Sequence, residues 1–202
     1  MRIAVLASGE GTNLQALIDE LHASGGAVEL VAVASDKADA PALGRAQAAG
    51  IATETFPRER FADRAARDAA ITAWLEARGV QLVVLAGYMA LLDAAFVQRW
   101  AGSLLNVHPS LLPAFPGMRA IEQALDYGSP LFGVTVHLVD EGTDTGPILL
   151  QEAAALPGAR TPEQVHDALR PIEHRLLCVA VRAFAEGAVR PDPAHPRRWL
   201  VG

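Results

Sequence analysis

An asparagine and a histidine stand two residues apart at the end of an apolar run, Leu104-Leu105-Asn106-Val107-His108-Pro109-Ser110-Leu111-Leu112-Pro113. In an extended chain the side chains of residues i and i+2 point to the same side, so Asn106 and His108 would present an amide and an imidazole to one space. Pro109 biases His108 towards extended backbone. An amide donor can steady a developing oxyanion and an imidazole can move a proton, which together are equipment for acyl transfer.

Asp144 supplies a carboxylate for that imidazole. It sits in Asp140-Glu141-Gly142-Thr143-Asp144-Thr145-Gly146-Pro147, directly after a strand pattern that carries Thr135 and His137 on one face. A carboxylate beside His108 would favour its imidazolium and make it a usable acid near neutral pH. The same acidic turn has a plainer reading as solvent-facing punctuation. Its carboxylates lack the ligand spacing of a calcium loop. Gly142 and Gly146 are candidate hinges for a mobile lid over residues 140–146.

A second candidate centre, Ser8-Gly9-Glu10-Gly11-Thr12-Asn13, falls between a strand pattern and a helix pattern, where free backbone N–H groups and the helix dipole favour an anion. Either it binds a phosphate or it is a tight turn with Thr12 or Asn13 as the N-cap. Leu14 stands where the third glycine of a dinucleotide fingerprint should be, so a ligand with a single phosphate fits better, although Asp36 leaves a ribose contact open. Among the other histidines, His166 and His174 share a helix face but lie two turns apart, too far to share a metal. His22 and His195 read as surface residues. His137 is either a satisfied core histidine or a support for the site. Cys178 is the single cysteine, which excludes an intrachain disulfide, and its apolar neighbours suggest a buried thiol.

These residues need a scaffold, and the chain alternates strand and helix patterns. Apolar runs at 2–7 and 28–35 flank a helical pattern through Leu14, Leu17, Ile18 and Leu21, a β-α-β unit with parallel strands. The spacing then predicts a helix over 42–49 between Pro41 and Gly50, a long helix over 61–78, and a strand over 81–85 apolar enough to be buried on both faces. A helix over 93–100, a strand over 104–107, a helix over 120–127 and strands over 131–139 and 148–153 follow. Residues 161–185 read as a capped amphipathic helix kinked at Pro171, and 191–196 as a tail on the surface.

At 202 residues, 51% hydrophobic and 20% charged, the chain is expected to form one soluble domain over 1–202. A net charge of -6, with Lys37 the only lysine, argues against a nucleic-acid partner, which needs clustered cations. The apolar run at residues 3–7 is too short for the h-region of a signal peptide and no stretch has the length of a membrane span, so a cytoplasmic enzyme is expected.

Three motifs in one order carry a resemblance over nearly the whole chain: residues 8–13, the run from Asn106 to Pro113, and Gly133-Val134-Thr135-Val136-His137 continuing to Asp144-Thr145-Gly146-Pro147. On these the chain resembles the phosphoribosylglycinamide formyltransferases, folate-dependent enzymes of purine synthesis. The resemblance implies a Rossmann-like, mostly parallel sheet with helices on both faces. It also implies transfer of a formyl group from 10-formyltetrahydrofolate to the amine of glycinamide ribonucleotide, through a tetrahedral intermediate and without a metal. Small-molecule substrates are the implied partners, with neither nucleic acid nor membrane, in a monomer or homodimer.

By the same resemblance Asn106 would bond the oxyanion, His108 donate a proton and Asp144 hold His108 charged. Gly11, Thr12 and Asn13 would hold the substrate phosphate, and Glu173 its ribose hydroxyls. Met89, Leu91 and Leu92 would line the folate pocket together with Asn106, Asp140, Glu141, Gly142, Thr143 and Asp144, while Arg64 would meet the folate's tail. Ala90, Arg119 and Arg170 depart from the Arg, His and Gln of a familiar member. The triad also occurs in methionyl-tRNA formyltransferase and formyltetrahydrofolate hydrolase, which carry additional domains not expected here. The fold alone would also suit a non-catalytic nucleotide-binding module.

Overall fold

The computed structural model describes residues 1–195 and 197–202. The chain divides into two compact units, 1–106 and 107–202. In the first, β1 (Arg2–Leu6), α1 (Thr12–Leu17), β2 (Glu29–Ser35), α2 (Pro41–Ala48), β3 (Ala52–Thr55), α3 (Arg64–Glu76), β4 (Leu82–Leu85) and α4 (Ala94–Arg99) alternate up to β5 (Leu104–His108), which crosses the boundary. The strands lie in the order β3-β2-β1-β4-β5 and every neighbouring pair is parallel. Ile3, Ala4, Val5, Leu6, Leu82, Val83 and Val84 are fully buried, as unbroken apolar strands between helical layers should be.

The helix ends follow local chemistry. α3 starts at Arg64 because Asp63 caps it, accepting from the Ala66 N–H at 2.8 Å; residues 58–60 form a separate 3-10 turn. Asp93 caps α4 in the same way through Ala95. α1 runs on as a π-helical turn over Ile18–His22, where the Ala23 N–H donates to the Ile18 carbonyl. His22 is not simply a surface residue: half-buried, it accepts the Leu30 N–H on Nδ1 and ties this turn to β2. The sequence pattern does not predict β3. It is a short, polar edge strand, Ala-Thr-Glu-Thr, without the apolar run that signals a buried one.

The second unit contains α5 (Ala120–Tyr127), β6 (Leu131–Leu138), β7 (Ile148–Ala155), α6 (Pro162–Ala185), β8 (Val189–Pro191) and β9 (Trp199–Val201). β6 and β7 pair antiparallel, with the register shifting between Val136 and His137. Thr161 and Gln164 form a capping box at the start of α6, which runs on through Pro171. Cys178 is buried on this helix. The expected surface tail is instead part of a hairpin: Pro191 ends β8 and pairs with Trp199 on β9. Pro196 lies outside the described residues. Seven of the strands belong to the mostly parallel sheet, the α/β class that the alternation predicts. Among the described residues no helix is long and apolar enough to cross a membrane.

Candidate active site

Asn106 and His108 both lie in β5, the first half-buried and the second 5% exposed. His108 is flanked by oxygen. Its Nδ1 lies 3.4 Å from Asp144 Oδ2 and its Nε2 2.9 Å from the Phe115 carbonyl. Both ring nitrogens therefore face an oxygen that can accept a proton donated from the ring. His137 repeats the arrangement from β6, with Nδ1 2.8 Å from the Leu138 carbonyl and Nε2 3.5 Å from Asp144 Oδ1. It is fully enclosed, at 1% exposure. One carboxylate therefore lies between two imidazoles.

Asp144 reaches that position through a left-handed backbone, φ 53°, unusual for a residue other than glycine. The Gly117 N–H donates to its Oδ2 at 2.7 Å. Burial pushes the carboxyl's pKa upward, but the hydrogen bonds from His137 and the Gly117 N–H, with the charges of both imidazoles, bring it down from 3.8 to about 2. At 3.5 Å the His137 contact is at the limit of a hydrogen bond, so Gly117 is the firmer anchor.

The loop after β5 is locked from β6 and β7. The Thr135 hydroxyl donates to the Ser110 carbonyl at 2.7 Å and accepts from the Leu112 N–H at 3.1 Å, while the Gln151 amide bonds both the Leu112 carbonyl and the Thr135 hydroxyl at 2.8 Å. A Cβ on Gly133 would come within 2.4 Å of Leu111 Cδ2 and 2.5 Å of the Glu152 carbonyl, so the glycine lets this loop close on β6. In the acidic turn Asp140 Oδ1 accepts from Thr145 Oγ1 at 2.6 Å and from the Gly142 N–H at 3.1 Å. The glycines expected as hinges have a packing reason of their own. A Cβ on Gly146 would lie 1.8 Å from the Leu138 carbonyl, and one on Gly142 2.0 Å from Thr145 Oγ1. Glu141, Gly142 and Thr143 are exposed, and Glu173 on α6 is half-buried.

In the first unit, neither Thr12 nor Asn13 caps α1. The N-cap is Gly11, at φ 72° and with no side-chain cap bond. A Cβ there would stand 2.7 Å from Ala42 Cβ, so the turn needs glycine for its backbone angle and for its contact with α2. The Gly9 carbonyl accepts from the Ala42 N–H, and Arg45 Nε donates to the Glu10 carbonyl at 2.7 Å. The N–H groups of the first turn of α1 have no acceptor within the helix, as at any helix start. Asp36 is engaged locally, accepting from the Ser8 hydroxyl, which itself accepts the Met89 N–H. Arg64 is exposed at the start of α3; Met89 and Leu91 are exposed and Leu92 half-buried between β4 and α4.

Several contributors left no signal in the sequence. The Phe115 carbonyl and Gly117 N–H are main-chain groups, and Gln151 looks like any polar residue on a strand. Among the described residues no group of three or more His, Cys, Asp and Glu is placed to hold a metal.

A mostly parallel α/β sheet that ends one strand on a buried histidine beside a half-buried carboxylate has the parts to move a proton at that strand's end. The family model described as formyl transferase matches residues 1–181. The chain is 39% identical over 202 residues to phosphoribosylglycinamide formyltransferase of Escherichia coli (strain K12), covering 100% of this chain and 94% of that one. It is 43% identical over 189 residues to the trifunctional purine biosynthetic protein adenosine-3 of Bos taurus, covering 94% of this chain and 19% of the relative; it thus spans about a fifth of the length of such trifunctional relatives. The crystal structure of glycinamide ribonucleotide transformylase 1 from Symbiobacterium toebii matches with a TM-score of 0.94 and 42% identity, over 100% of this chain and 93% of that one. The chain belongs to the formyl transferase family.

Proposed function

We propose that this protein transfers the formyl group of 10-formyltetrahydrofolate to the amine of 5-phosphoribosylglycinamide in purine biosynthesis, as a single catalytic domain over 1–202 in the cytoplasm. The observation that carries this reading is His108, buried at the end of β5 between the Asp144 carboxylate and the Phe115 carbonyl, in a chain that aligns end to end with a phosphoribosylglycinamide formyltransferase.

The amine nitrogen bonds to the formyl carbon, whose carbonyl oxygen becomes an oxyanion. Asn106 donates its amide to that oxygen and His108 supplies a proton. Asp144 holds the imidazolium that makes this possible. As the intermediate collapses, the bond from carbon to N10 breaks, N10 takes the proton that His108 supplies, and the proton given up by the amine restores His108. The net result is exchange of formyl and hydrogen between two nitrogens, with no redox change. His108 Nε2 faces the Phe115 carbonyl at 2.9 Å, so a proton delivered to substrate from that nitrogen requires this contact to be exchanged.

Gly11, Thr12 and Asn13 hold the phosphate and Glu173 the ribose hydroxyls. Arg64, Met89, Leu91, Leu92, Asn106, Asp140, Glu141, Gly142, Thr143 and Asp144 are the residues assigned to the folate. Both substrates are small molecules, and the protein acts as a monomer or homodimer. The test is to follow loss of 10-formyltetrahydrofolate spectroscopically with and without glycinamide ribonucleotide. Turnover that depends on the ribonucleotide is expected. Turnover without it would mean a hydrolase, and none in either case would mean another acceptor or a binding module.

A further inference from the structure

The segment between β4 and α4 faces outward with apolar side chains while its main chain is tied from behind at every second residue. Met89 is 52% exposed and Leu91 70%. The Met89 N–H donates to Ser8 Oγ at 2.8 Å, the Leu91 carbonyl accepts from Arg67 at 2.7 Å, and the Asp93 N–H donates to Asp68 Oδ2 at 2.6 Å. The last two ties come from one buried ion pair on α3, Arg67 Nε to Asp68 Oδ1 at 2.7 Å, its residues 5% and 1% exposed.

A buried ion pair is a poor way to stabilise a helix, because desolvating both charges offsets most of their attraction. What this pair contributes is geometry. The guanidinium fork binds the carboxylate with one nitrogen and a single loop carbonyl with another. The carboxylate's second oxygen fixes an N–H two residues further on. We propose that Arg67 and Asp68 are positioning residues that hold the main chain of residues 88–92 in the shape that receives the folate's ring system, so that they govern folate affinity more than the chemical step. This rests on the folate-dependent activity proposed above.

The test uses the full chain and Arg67→Lys. Lysine keeps the charge and its attraction to Asp68, so the fold survives, but one ammonium cannot reproduce the fork that holds Asp68 and the Leu91 carbonyl together. The KM for 10-formyltetrahydrofolate is expected to rise about ten- to a hundredfold, the scale on which lost preorganisation acts, while the KM for the ribonucleotide and kcat at saturation move far less. Amide exchange at residues 89–93 of the free variant should accelerate. A merely structural pair would lower the melting temperature and the active fraction, leaving both KM values in place. An unmoved folate KM, an equal rise in both KM values, or unchanged exchange in this segment would overturn the proposal. Wild-type turnover is measured first: an idle wild type sinks the functional reading itself, whereas an active one with no KM split in the variant sinks only the positioning role.

Discussion

The turn at residues 8–13 and the cluster around His108 are built from different materials. In the first unit the turn from Gly9 to Gly11 is held through main chain: Gly11 at φ 72° packs against Ala42, the Gly9 carbonyl meets the Ala42 N–H, and the N-cap is Gly11, with no side-chain cap bond. In the second unit the cluster is side chain, with two imidazoles on one carboxylate. A site made of backbone tolerates changes of charge around it but not of volume. A site made of ionisable side chains is the reverse, and each should fail in its own way.

The largest effect belongs to the side-chain region. His108→Ala should lower turnover by about 10²- to 10⁴-fold, the usual contribution of a positioned acid or base, while the melting temperature and folate binding by equilibrium dialysis change little. If the variant kept full turnover, the chemistry would not reside at this cluster and the contrast would collapse.

Next comes the backbone region, where two glycines two residues apart give opposite expectations. An alanine Cβ at Gly11 would sit 2.7 Å from Ala42 Cβ and 2.8 Å from its Cα, on a backbone at φ 72°. Left-handed strain and overpacking together should cost Gly11→Ala about 3 kcal/mol in urea denaturation. A Cβ added at Gly9 would meet nothing within 4 Å, and the backbone there has no positive φ, so Gly9→Ala should leave stability where it was. Equal effects at the two positions would show that the motif is read by something other than its packing.

The same division explains what could be read in advance. Asn106 and His108 were legible because a period of two residues in an apolar run settles which way side chains face. The glycine turn was legible as a motif, though not its cap, since Gly11 takes that place through backbone angle and not through a side-chain bond. The partners of His108 were harder. Asp144 lies far along the chain from it and arrives through a strained φ and a bond from Gly117; Phe115 contributes only a carbonyl, which any residue has. Arg67 and Asp68 were missed for a different reason. Adjacent charges on a helix normally mark its solvent face, and here both are buried because the loop below needs a donor and an acceptor.

The smallest effect separates the two regions by pH. Asp144 titrates near 2 in the folded chain against an ordinary value of 3.8. A carboxyl that is more acidic when folded favours folding wherever it is ionised in both states. Its contribution is therefore complete above the ordinary value, fades as pH falls through the interval and is gone below about 2. The size is about 2 kcal/mol, and the discount for solvent is small because the side chain is only 13% exposed. Asp144→Asn keeps the shape but has no proton to take up. The stability gap between wild type and this variant, from urea denaturation at a series of pH values, should shrink by about 2 kcal/mol as pH falls from about 5 towards 2. A parallel series on Gly11→Ala should show a gap that does not change over the same range, because volume does not titrate. A flat gap for Asp144→Asn would mean that the His108, His137 and Gly117 contacts do not hold its charge in solution, and the side-chain region would then lose the feature that distinguishes it from the turn.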